Sequence, residues 1–138
     1  MNPHLFVYGS LMSSVGHPMG ERLRREAQLI GAATIRGRLY RISWYPGLVD
    51  TDDSDARVHG EVYALSSPTP TLQWLDAYEG IGSGGPDQDA YQRVERAVTP
   101  EAGRAITAWV YVYQKSVAGL RPISGGRWVP SPRMRGEG

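Results

Sequence analysis

Three stretches of this chain, residues 58–65 (VHGEVYAL), 91–98 and 105–113, carry apolar side chains on both sides of a two-residue repeat. Side chains alternate faces along a strand, so a strand apolar on both faces needs cover on both. Such strands suit a barrel or a covered sheet rather than a sheet with one wet face. The other apolar runs are residues 4–8, residues 30–43 with a bend expected at Gly37, and a short piece at 47–49. Tyr45-Pro46-Gly47 signals a turn, and the acidic run 50–55 (DTDDSD) reads as a hairpin tip. Helices are expected at 21–29 and 69–79. Ser66-Ser67-Pro68 marks the start of the second, with serine capping, and Gly80 marks its stop. Strands interrupted by two separate helices indicate an α+β chain, a small mixed β-barrel with flanking helices. With 138 residues there is room for one domain, over residues 1–130, and the Gly- and Pro-rich tail 131–138 is expected to be disordered.

Composition removes several functions. Lys plus Arg number 15 and Asp plus Glu 14, which leaves no basic footprint for nucleic acid. There is no Cys, and the three histidines (His4, His17, His59) are scattered, so no metal site is expected. No run approaches the roughly 20 apolar residues that span a bilayer, and no signal peptide is visible, so a cytoplasmic protein is expected.

The helix at 69–79 contains an anomaly. At about 100° per residue, with Leu72 at zero, Leu75 falls near about 300°, Tyr78 near about 240° and Trp74 near about 200°. These mark one apolar side. Glu79 falls near about 340°, between Leu72 and Leu75, and Asp76 near about 40°, at the border. A carboxylate at the C-terminal end of a helix also opposes the helix dipole. Either Glu79 swings out to water or to an arginine, or it is held on the core side for a task. If it is buried, its pKa rises, which suits acid–base work near neutral pH. Strand 4–8 likewise runs straight into Gly9-Ser10. That is either a plain turn or a cup of unpaired N–H groups able to hold an anion. Ser10 lacks the Gly-x-Ser-x-Gly surroundings of a nucleophile.

Phe6-Val7-Tyr8-Gly9-Ser10-Leu11, Tyr45-Pro46-Gly47, Gly60-Glu61-Val62-Tyr63, Leu75-Asp76-Ala77-Tyr78-Glu79-Gly80 and Tyr91-Gln92-Arg93 follow in this order. With these motifs the chain resembles the γ-glutamylcyclotransferase-like, or AIG2-like, family over residues 4–113, with a fainter echo at Gly126-Arg127-Trp128. The resemblance implies a small mixed barrel and an intramolecular cyclisation. The α-amine of a small γ-glutamyl amine or amide attacks its own γ-carbonyl, releasing an amine and 5-oxoproline. It implies no metal or organic cofactor, Glu79 as general acid–base, and Tyr8, Gly9, Ser10 and Leu11 as the substrate loop. Tyr91 and Trp128 are candidates to close the pocket, or else are core aromatics. Two departures stand out. The loop 81–90 is longer than usual and is a candidate lid. Arg127 replaces an Asp frequent in bacterial relatives, which would favour an acidic leaving group. A binding protein without turnover, or another acid–base reaction in the same pocket, is the alternative.

Overall fold

The computed structural model describes residues 1–82 and 89–129. The expected tail and most of the candidate lid lie outside them. The chain runs β1 (His4–Val7), α1 (Pro18–Glu26), β2 (Ala27–Arg36), β3 (Arg38–Arg41), β4 (Pro46–Val49), β5 (Arg57–Leu65), α2 (Pro68–Tyr78), β6 (Tyr91–Pro100) and β7 (Ile106–Tyr113). A 3-10 turn at Ser124–Gly126 follows.

Five strands close a barrel in the order β1-β5-β2-β6-β7. β1 lies antiparallel to β5 and parallel to β7, where Leu5 pairs with Trp109, so the sheet is mixed. Leu5, Phe6 and Val7 are buried in succession, as are Val62 and Tyr63 on β5. Consecutive strand residues face opposite ways, so both faces of these strands are covered. Gly60 permits a close approach of β5 to β1. A Cβ there would meet the Val7 carbonyl oxygen and stand 2.7 Å from Phe6 Cζ.

Three local expectations are corrected. The first helix occupies 18–26 rather than 21–29. His17 caps it, its Nδ1 accepting from the Met19 N–H at 3.0 Å, and Pro18 opens it. Residues 27–29, expected as helix, instead pair with β5, Ala27 opposite Leu65. Residues 50–55 are not a hairpin tip. The hairpin is β3-β4, closed by the Ile42 and Ser43 amides on the Tyr45 carbonyl at 3.1 and 3.2 Å. The acidic run carries the chain from β4 back to the barrel, with Asp53 paired to Arg38 at 2.9 Å. Ser67 opens α2 through its backbone alone, with no side-chain cap. The bend at Gly37 separates β2 from β3.

Candidate active site

α2 lies outside the barrel and presents Leu72 and Leu75 to the core. It is tied to β6 and β7 by one carboxylate. Asp76 accepts from Arg93 Nε at 2.8 Å and Nη2 at 3.1 Å, and from the Tyr111 hydroxyl at 2.6 Å. Such bidentate geometry fixes the helix rotation as well as its position. Glu79 ends the helix, its N–H on the Leu75 carbonyl at 2.9 Å. Gly80 follows with φ +80°, the left-handed turn that stops a helix at least cost in glycine.

Beside the helix end lies a cavity of about 360 Å³, within the range of about 300–1,000 Å³ usual for small-molecule sites. Tyr8, Gly9, Ser10, Leu11, Tyr91 and Glu79 all line it. Burial first, and the charge of Asp76 second, raise the Glu79 pKa from 4.5 to about 7. Both act alike, since desolvation and a nearby anion each disfavour ionisation.

After β1 the chain turns, with the Met12 N–H on the Gly9 carbonyl at 3.0 Å. Ser10 and Leu11 are the two central residues of this turn, whose amides the turn itself does not use. No hydrogen bond from the Gly9, Ser10 or Leu11 amide is found among the described residues. The turn is braced from three sides. The Ser13 N–H and hydroxyl donate to the Glu61 carboxylate at 2.7 and 2.5 Å. The Ser10 hydroxyl meets that of Tyr78 at 2.8 Å. A Cβ on Gly9 would stand 2.9 Å from the Pro46 ring, so the hairpin β3-β4 backs the turn.

The wall is built of hydroxyls that point into structure. Tyr8 donates to the Tyr111 carbonyl at 2.6 Å and accepts from the Leu48 N–H at 3.2 Å. Tyr91 donates to the Pro46 carbonyl at 2.5 Å. Burial pushes the pKa of Tyr8, Tyr91 and Tyr111 well upward, so all three stay neutral. Among the described residues no group of three or more acidic or His side chains is close enough to hold a metal ion.

The candidate site residue Trp128, and the departure at Arg127, fall elsewhere. Trp128 is 5% exposed but does not line the cavity, and the Arg41 guanidinium sits 4.3 Å from its ring centre. Arg127 is exposed and also absent from the lining. Its charge acts on His59, whose pKa is lowered first by burial and then by Arg127. In the other direction, Trp44, Tyr45, Tyr78 and Tyr111 line the cavity and were not singled out as site residues from sequence. Tyr78 could have been, since it lies on the apolar side of α2 just before Glu79.

Comparisons with known proteins bear on the family and the fold. The family model described as "Gamma-glutamyl cyclotransferase, AIG2-like" matches residues 5–130. A relative from Escherichia coli K12, "Gamma-glutamylcyclotransferase family protein YtfP", is 36% identical over 126 residues, covering 91% of this chain and 95% of its own. The solution NMR structure of protein ytfP from Escherichia coli superposes with a TM-score of 0.63 at 36% identity, over 91% of this chain and 96% of that one. The crystal structure of YkqA from Bacillus subtilis reaches a TM-score of 0.69 at 24% identity, a likeness of fold. The match covers 93% of this chain and 40% of YkqA, so the barrel is about two fifths of that longer protein.

Proposed function

The chain belongs to the γ-glutamylcyclotransferase, AIG2-like, family, and from that membership we propose that it cyclises a small γ-glutamyl amine or amide, with Glu79 as the proton carrier. The observation that supports this reading is the meeting of two features on one cavity. One is a carboxyl with its pKa raised to about 7, and the other is a turn whose amides are not otherwise engaged.

The α-ammonium of the substrate gives a proton to the Glu79 carboxylate. The freed amine nitrogen attacks the γ-carbonyl carbon, forming the C–N bond of a five-membered ring. Negative charge grows on the carbonyl oxygen, where the Ser10 and Leu11 amides donate to it. Glu79 gives its proton to the leaving nitrogen, the bond from carbon to that nitrogen breaks, and the surplus proton of the ring nitrogen passes through the Glu79 carboxylate to the departing amine. The products are 5-oxoproline and the amine in its protonated form, with no net proton change at Glu79. Nucleophile and carbonyl share one molecule, so the cavity acts mainly by holding the folded conformer. Orientation of that kind is worth about 7–11 kcal/mol. The buried tyrosine wall keeps water from competing for the γ-carbonyl.

Release of 5-oxoproline from a panel of γ-glutamyl compounds tests the reading. Wild type is expected to release it. Glu79→Gln is expected to lose activity by at least about 100-fold, the usual weight of a positioned acid–base group. Equal release by both would remove Glu79 from the role, and binding without product would make the chain a binder.

A further inference from the structure

We propose that the leaving group is an apolar arylalkyl amine without a carboxylate, seated against Trp44 at the cavity mouth. This rests on the cyclisation reading for which part of the substrate leaves, and it concerns what that part is.

The first observation is charge. The described lining contains one ionisable acid, Glu79, and no Arg, Lys or His. The nearby cation Arg93 is spent on both oxygens of Asp76. An amino-acid leaving group would bring a carboxylate close to the reacting nitrogen. There it would be desolvated beside Glu79 and Asp76 with no free counter-charge in the described lining, a costly arrangement. Under the cyclisation reading the turn amides serve the γ-glutamyl end and not the leaving group.

The second observation is the mouth. Trp44 sits at the tip of the β3-β4 hairpin and is 53% exposed although it lines the cavity. Its position is set. The tip is closed by two amides on the Tyr45 carbonyl, and the indole meets the Tyr45 ring edge-on at 5.2 Å. Tyr45 in turn leans on Tyr91 at 6.3 Å, and Tyr91 on Tyr113 at 5.4 Å. A supported aromatic row therefore ends in one large ring open to solvent. An aryl group on the leaving amine would cover it, and such contacts favour binding by up to about tenfold beyond area alone.

The test uses γ-glutamyl phenethylamide, γ-glutamylphenylalanine and γ-glutamyl methylamide. The first two differ by one carboxylate, the first and third by the aryl arm. Calorimetry on wild type reads affinity with the Glu79 carboxylate in place, Glu79→Gln repeats it without turnover, and 5-oxoproline release by wild type reads catalysis. The phenethylamide is expected to bind about tenfold tighter than either of the others. Adding Trp44→Ala is expected to bring the phenethylamide-to-methylamide ratio towards unity. Trp44 is exposed, so the variant folds, and circular dichroism checks it. Equal or tighter binding of γ-glutamylphenylalanine, a ratio unmoved by Trp44→Ala, or no binding of any compound would each overturn the proposal. The expected ranking without 5-oxoproline would sink the cyclisation reading alone and leave the preference at the mouth standing.

Discussion

The Glu79 carboxyl ionises near pH 7 because its anion loses hydration and faces Asp76. Its ordinary value is 4.5, so between about pH 4.5 and pH 7 the folded chain holds a proton that the unfolded chain has lost. Folding stability from this group is full below 4.5 and falls as pH rises through 7. A shift of this size corresponds to about 3–4 kcal/mol at most. Urea titrations across pH should show Glu79→Gln gaining on wild type over that window. Under the proposed mechanism, kcat/KM should rise with pH with a midpoint near 7. Asp76→Asn removes the neighbouring anion and should move that midpoint down. It also leaves Arg93 and Tyr111 with a weaker acceptor, so melting temperature should fall with it. A midpoint unmoved by Asp76→Asn would mean that burial alone sets the Glu79 proton.

At the scale of elements, the site depends on how closely β1 lies against β5. Gly60→Ala would drive a methyl into the Val7 carbonyl and the Phe6 ring. A cost of about 1–3 kcal/mol or more is expected, measured by chemical denaturation. Of the elements, β5 and α2 were the most legible from sequence, because β5 is a β-branched apolar run and α2 lies between a Ser-Pro start and a glycine stop. α1 was misplaced by three residues. His17 is an unusual cap, and Ala27-Gln28-Leu29 has helical propensity that pairing with β5 overrides. The 50–55 run was misread because acidic residues between two apolar segments look the same in a hairpin tip and in a crossing. Only the pairing of β4 with β3 decides between them.

Across the whole molecule, the C-terminal segment returns to the barrel and buries Trp128 away from the cavity. Trp128→Ala should therefore cost about 3–5 kcal/mol of stability, the usual range for a buried Trp. It should leave the Glu79 midpoint unchanged in the pH profile. A moved midpoint would put Trp128 back in the site. Among the described residues no helix is long and apolar enough to cross a membrane.

By itself the sequence determined the covered strands, the helix that ends in a misplaced acid, and the glycine turn after β1. These are written in repeats of two and about 3.6 residues and in single turn residues, all local quantities. The tertiary structure alone decided that Trp44 and Tyr111 share a cavity with Glu79 and that Trp128 does not. It also decided that Asp76 is clamped by Arg93 and Tyr111, 17 and 35 residues away. Such meetings depend on strand register and barrel closure between distant segments, and no local period records either.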